Sequence, residues 1–266
     1  MEEASTDAAE PEGAAEPEGP VEIVEHHDNG KVRSRSRLLG GLLDGEALTY
    51  DEEERLLQRA TYRAGALHGP SVTYDPGTGK EAARSMFKAG ELDGETLLHD
   101  ENGKLAQRLC FVAGLQEGLT RLYIDGKLRT EAVWVKGMQH GPFTAYDEEG
   151  RVVQRSTYKN GKLAGESLTL DAQGKPMKRA TYKDDKLDGE VVEYHPNGEV
   201  RERAAYKDNK KDGECLEYHE NGKLAKRAFY RAGELRGRPV EYDENGREKP
   251  PEEPGKKGVI GKLFGK

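Results

Sequence analysis

The sequence predicts an all-β protein, an elongated, open, single-layer antiparallel β-meander built from about nine and a half hairpin repeats of 24 residues. Three observations predict it. A glycine returns on a fixed period, a short alternating segment follows each glycine, and an Asn-Gly turn or a close variant divides each copy in two.

The glycine stands at Gly45, Gly69, Gly94, Gly118, Gly141, Gly165, Gly189, Gly213 and Gly237, a spacing of 24 with at most one residue of slippage. Repetition at this length means stacked identical units rather than the core of a globular enzyme. Leu, Ile, Val and Phe make up less than one-fifth of the 266 residues, a fraction usually associated with chains that do not fold. The periodic placement of those few residues overrides that expectation, because a thin sheet needs fewer buried side chains per residue than a sphere does.

In the first arm of most copies an aliphatic residue lies three places after the glycine (Leu48, Val72, Leu97, Leu168, Val192, Leu216, Val240), and Tyr, or His99 or Leu170, lies five places after it. This is the period of a strand with one buried face. The turn follows, clearest at Asn29-Gly30, Asn102-Gly103, Asn197-Gly198, Asn221-Gly222 and Asn245-Gly246, where both residue types tolerate positive φ. The second arm ends in a second aromatic column, Tyr62, Phe87, Phe111, Trp134, Tyr158, Tyr182, Tyr206 and Tyr230, with a small residue such as Ala60, Ser156 or Ala228 two places before most of them.

A one-residue slip in register turns every side chain over, so burial selects the loop. A three-residue loop over 220–222, with Gly222 left-handed, puts Leu216, Tyr218, Leu224, Ala228 and Tyr230 on one face. A two-residue loop would instead set Tyr218 and Leu216 beside Arg227. The first arrangement is expected, with the longer segment 74–79 and the shorter 123–126 as loop variants. Residues 21–44 form a worn first copy, with Val24, His26, Asn29-Gly30 and Leu38 in the repeat slots, as befits a cap. Nineteen strands follow from this count, and the open sheet has two free edges that need a cap, a partner or charge.

The array occupies residues 21–247. Residues 1–20 carry seven acidic side chains and no base and are expected to be a disordered acidic tail. Residues 248–266 are a Pro-rich linker followed by a basic, partly apolar tail containing Lys256, Lys257, Ile260, Lys262, Leu263 and Phe264. That tail suits weak contact with an anionic membrane surface or a partner groove, or folds back as a cap. The chain opens without the basic and apolar regions of a signal peptide and has no 18-residue apolar run, so a cytoplasmic location is expected. Cys110 and Cys215 lie several copies apart, too far to bridge, which agrees with a reducing compartment.

The Gly-Glu step, the Tyr-Asp-x-x-Gly-Lys turn and the Tyr-Lys-x-Gly-Lys-Leu-x-Gly junction at 158–165 resemble the variant MORN repeat. This is the variant found in bacterial YwqK-family antitoxins, and the likeness runs over residues 21–247. It implies a bacterial, non-catalytic protein that binds another protein, most concretely a toxin-neutralising antitoxin or immunity-type binder. It implies as the alternative a structural or membrane-proximal scaffold that uses sheet edges for self-association and the basic tail for attachment.

Two surfaces are candidates for that contact. Arg59, Arg84, Arg108, Arg155, Arg179, Arg203 and Arg227 form a column in the second arms, continued by Arg35 and broken by Glu131, on the face opposite the tyrosines. The column either grips an acidic partner or pairs with cross-strand carboxylates such as Glu193 and Glu217, and the second reading is favoured. The rings either form a groove or pack on one another as the core; Tyr123 and Trp134, in the least regular stretch, are the candidate contact spot. Nucleic acid is disfavoured, because the formal charge is -8 and the array interleaves both signs. His68, His140, His195 and His219 meet no nucleophile or paired carboxylate at useful spacing, so no catalytic, metal or cofactor site is expected.

Overall fold

Each copy of the period places two turn-forming sequences about a dozen residues apart, and between them the chain has time only to cross a sheet once in each direction. In a computed structural model that describes residues 19–250, the regular structure is accordingly all strand, with 22 strands from Val21–His26 to Glu234–Glu241. Three of them, Leu42–Leu43, Leu115–Gln116 and Lys162–Leu163, are two-residue pieces that continue into the next strand after a single residue. Joined to those strands, they leave the arms that the period predicts. The acidic segment up to residue 18 and the tail positions Lys256, Lys257, Ile260, Lys262, Leu263 and Phe264 lie outside the described residues.

The described residues form two compact units that part between Gly126 and Lys127. In the first, each strand from Val21–His26 to Gly118–Ile124 pairs antiparallel with its successor, and the sheet stays open. In the second, the same holds from Lys127–Val135 to Glu234–Glu241. The last strand is partly closed by a return, with Tyr242 bridging to Glu248 and the Lys249 N–H donating to the Glu241 carbonyl at 2.8 Å. Pro250, which has no N–H to offer, then follows.

The three-residue loop is present as expected. The His219 N–H donates to the Lys223 carbonyl and the Gly222 N–H to the His219 carbonyl, both at 2.9 Å, with Gly222 at φ 78°. This is a type I turn closed by a left-handed glycine. The longer segment is a loop variant, in which Asp75 N–H donates to the Lys80 carbonyl at 2.9 Å around Gly79, φ 68°. In the shorter one Asp125 and Gly126 both have positive φ, 53° and 76°.

The expected single apolar face is corrected by the register. Just after the loop a bulge intervenes: Tyr218 lies across from Leu224, but Glu217 lies across from Lys226. Beyond the bulge Leu216 faces Arg227, and Cys215 faces Ala228. Since residues directly across an antiparallel pair share a face, the aliphatic and arginine columns are on one face and the small residues on the other. A second break occurs at the repeat glycine, where Ala204 pairs with Cys215 but Tyr206 with Lys211, leaving three residues around Gly213 opposite one.

That break explains the glycine. Gly189 sits at φ 132°, and a Cβ there would lie 2.8 Å from the Thr181 Cβ on the preceding strand. Across the following strand the same glycine faces Tyr206, as Gly213 faces Tyr230 and Gly45 faces Tyr62. A ring laid over a bare backbone restores the burial that glycine lacks.

The core is a ladder of small side chains, one per arm. In the second unit it runs Ala132, Phe143, Ser156, Ser167, Ala180, Val191, Ala204, Cys215, Ala228, each across from the next. All but Phe143 are buried, Val191 at 5% exposure and Ala204 at 2%, and Ser156 and Ser167 share a hydrogen bond of 2.8 Å across the ladder. Ala60, Ser71 and Thr96 are its buried members in the first unit. On the opposite face only Val72 and Val192 of the aliphatic column are fully buried.

Hydrogen bonds between successive copies stitch both margins of each sheet. The Gly65, Gly90 and Gly114 N–H groups donate to carbonyls about one period earlier, those of Leu43, Leu67 and Leu92, each at 2.8 Å. On the other margin, His195 Nε2 lies 2.9 Å from the Tyr218 carbonyl and Asn197 Nδ2 donates to the Glu220 carbonyl at 2.7 Å. A carbonyl only accepts, so Nε2 carries the proton. His27 with Asn29, and His219 with Asn221, repeat the arrangement.

Candidate binding surface

The arginine column is where the repeat places a regular charge, and its geometry follows from the bulge. Arg203 faces Val192 on one neighbouring strand and Leu216 on the other, so each guanidinium rises between two aliphatic side chains. The glutamate that follows the repeat glycine is the diagonal neighbour on the same face. It takes the arginine: Arg59 to Glu46 at 3.3 Å, Arg203 to Glu190 at 3.4 Å, Arg227 to Glu214 at 2.5 Å, and Arg108 to Glu95. Arg179 lies between two, 3.8 Å from Glu166 and 3.2 Å from Glu190. The anticipated partners Glu193 and Glu217 bind elsewhere, to Lys178 at 3.3 Å and Lys226 at 3.1 Å, because the bulge moves them to the other face.

The aromatic columns split between the faces, which corrects the expectation of rings on one side and guanidiniums on the other. Tyr50, Tyr74, Tyr194 and Tyr218 follow the aliphatic column by two residues and share its face with the arginines, whereas Tyr62 to Tyr230 flank the small-residue ladder. Phe143 and Tyr158 meet there edge to face, with centroids 5.9 Å apart. On the same face Lys211 sits 5.5 Å over the Tyr230 ring and binds Glu202 and, at 3.4 Å, the Cys215 sulfur. Burial opposes the Lys211 charge, yet the Glu202 carboxylate outweighs it and holds the ammonium above the ordinary lysine range. Burial also pushes the Cys215 thiol up, reinforced by the Glu202 hydrogen bond.

Tyr123 belongs to the first unit and Trp134 to the second, and both are half-buried. Trp134 lies across from Gln139 beside the ladder, and its buried indole N–H has no partner among the described residues. Glu131, which replaces an arginine, accepts the Tyr146 hydroxyl at 2.8 Å.

In the second unit one arginine departs from the pairing. Among the described residues of the second unit, Arg155 is the member of the column with no carboxylate in ion-pair range. Its copy has Pro142, not glutamate, after the glycine. Arg84, whose copy likewise has Pro70, recovers a partner in Glu81; the matching position before Arg155 is Val152. Arg155 borders an open groove of about 610 Å³ on the arginine face, floored by Val152, Leu168, Leu170 and Pro176, and walled by Arg179 and Tyr194. The groove lies where Leu170 takes the place of a tyrosine. Sequence reasoning noted Leu170 and Arg155 separately, but the register alone brings them together; the Gly-Pro step was the overlooked signal.

A stack of antiparallel hairpins stitched at both margins, with no second layer over either face among the described residues, defines a β-hairpin repeat protein. The family model of the MORN repeat variant matches residues 92–113, 139–160, 187–208 and 211–232. No protein of curated function matches the chain. Solved structures similar to it include "Crystal Structure of TcdB2-TccC3", with 11% identity over 85% of this chain and 14% of that one at a TM-score of 0.23. "Crystal Structure of TcdB2-TccC3-TEV" gives the same values. The chain thus spans about one-seventh of those proteins, and the overlap bears on neither fold nor function.

Proposed function

We propose that the chain is a non-catalytic protein-binding platform of the bacterial cytoplasm, most concretely an antitoxin or immunity-type binder that covers the active surface of a toxin. The observation that carries the reading is how each copy divides its residues. Small side chains are consumed by the ladder, whereas the arginine and glutamate columns are largely exposed, the tyrosine column is partly exposed, and all three repeat at a fixed interval along each sheet. A surface of this kind offers shape and paired charge over a long front instead of a single cleft. The antitoxin version draws on the resemblance of the repeat to that of YwqK-family antitoxins.

The test is co-expression with the product of an adjacent reading frame encoding a small toxin-like protein. A complex of near one-to-one stoichiometry, together with rescue of growth, supports the antitoxin reading. Failure of every neighbouring product to bind, with sedimentation of the chain as large oligomers, supports the scaffold in its place.

A further inference from the structure

The groove beside Arg155 arises from two departures from the repeat that fall in different copies and converge only in the folded sheet. Pro142 removes the carboxylate that neutralises the other column arginines of this unit, and Leu170 removes the ring that fills the corresponding space. What results is an apolar floor of Val152, Leu168, Leu170 and Pro176 with one uncompensated guanidinium at its rim; the carboxylate that also lines the groove, Glu166, is in range of Arg179 at 3.8 Å. The other two arginines at the groove are already engaged: Arg151 with Asp147 at 2.7 Å and Glu149 at 2.6 Å, and Arg179 with Glu166 and Glu190. The one charge left to satisfy is therefore positive, and its neighbour is hydrocarbon.

We propose that this groove binds a linear segment of a partner protein in which a Glu or Asp side chain pairs with Arg155 and the adjacent apolar side chain lies over Leu168, Leu170 and Pro176. Arg155 is exposed, and it faces Leu168 directly across the strand pair, so a ligand carboxylate and its apolar neighbour reach the two from one side. Guanidinium presents a forked donor set to a carboxylate, a fit that neither lysine nor a neutral side chain reproduces. A volume of about 610 Å³ lies within the range of small-ligand and peptide pockets. The proposal rests on the protein-binding reading and narrows it to one place and one ligand chemistry.

The two departures supply their own controls, since each substitution restores a residue that other copies carry at the same place, Glu46 or Glu190 for Pro142 and Tyr194 or Tyr218 for Leu170. Pro142→Glu gives Arg155 the carboxylate its counterparts have, and Leu170→Tyr returns the ring. The probe is a rhodamine-labelled short peptide with a central Glu-Leu-Phe in a Gly/Ser context, titrated with the full chain and followed by fluorescence anisotropy, against the same peptide with Gln for Glu. The Glu peptide is expected to bind at least about tenfold more tightly than the Gln peptide, the equivalent of one charge-assisted contact. Pro142→Glu abolishes that difference, and Leu170→Tyr weakens both peptides. The proposal is overturned if the Glu peptide does not saturate the chain, if the two peptides bind alike, or if neither variant changes the binding. A toxin-like partner that forms its one-to-one complex equally well with wild type and both variants would overturn the groove while leaving the platform reading intact.

Discussion

Replacing Gly189 by alanine tests why a glycine returns in every copy. At φ 132° an L-residue is strained, at a cost of about 1–3 kcal/mol for a sparsely populated backbone region. The added Cβ would also come 2.8 Å from the Thr181 Cβ, which is backbone-fixed and cannot swing away; overpacking of this kind costs a further 1–3 kcal/mol or so. Gly189→Ala is therefore expected to cost about 3–4 kcal/mol. Gly165 is the matched control, since it too faces a tyrosine, Tyr182, but has φ 83° and a prospective Cβ 4.0 Å from that of Thr157. Gly165→Ala should cost only the backbone part, about 1–2 kcal/mol. Thr181→Gly placed on top of Gly189→Ala should recover roughly 2 kcal/mol, a positive coupling absent from the pair Gly165→Ala and Thr157→Gly. Urea unfolding of the full chain, with native-state hydrogen exchange to localise the loss to the neighbouring strands, measures both cycles. Equal costs at Gly189 and Gly165, or no recovery by Thr181→Gly, would refute the close-approach account and leave backbone conformation as the whole reason for the glycine.

Asn197→Ala removes two hydrogen bonds, one to the Glu220 carbonyl and one from the Glu199 N–H at 2.9 Å, and should destabilise by about 1–2 kcal/mol, with faster amide exchange confined to the turns at 195–199 and 219–223. Arg203→Gln should change stability by less than about 1 kcal/mol and show little salt dependence, because its pair with Glu190 is half-exposed; a larger loss in urea titrations would mean the column is structural. The turn carboxyls are held below their ordinary value of 3.8, at Asp75 by the Thr78 hydroxyl and at Asp243 first by the Arg247 N–H. A depressed folded value contributes stability that is present above the unfolded value and is lost as pH falls through the folded one, so melting temperature should hold down to about pH 4 and drop below it. Under native conditions a thiol reagent should modify half-buried Cys110 well before Cys215, which is 2% exposed, and equal rates would contradict the ladder.

The period, the hairpins and the loop around Asn221-Gly222 are legible in the sequence because each depends on local conformational preference: alternation, and residues that accept positive φ. The faces are not, since two bulges per copy each shift the alternation, and a bulge is invisible to a reading that extends one period through a whole arm. The repeat glycine in mid-strand was the available sign, as glycine there commonly marks a bulge. The tight turns between copies were hidden differently. Their first position is filled by Ala64, Ala89, Ala113 and Ala232 at φ between 47° and 53°, a conformation that alanine disfavours by about 1–2 kcal/mol. Gly40, Asn160, Asp184 and Asp208 display the usual residues there. What holds the alanines is the copy before: the next residue, Gly65 for instance, donates its N–H to the Leu43 carbonyl, so stacking compensates for the local strain.

The same dependence on neighbours separates structure from function along this chain. A repeat that neutralises its own arginines, covers its own glycines and satisfies its own turn groups leaves little for a ligand, and copies that keep all these features have no reason to be chosen over one another. Selectivity therefore belongs to the places where a copy fails to complete itself. Glu131, in place of an arginine, is absorbed by Tyr146; Pro70 is absorbed by Glu81 acting on Arg84. Pro142 and Leu170 are not absorbed: the first leaves Arg155 without a counter-charge and the second leaves an apolar hollow beside it. An irregularity that the fold has repaired says little about binding. One that leaves an unpaired charge next to partly exposed hydrocarbon has a stated chemical complement, and that puts Arg155 ahead of the more conspicuous Trp134 as the place to test binding.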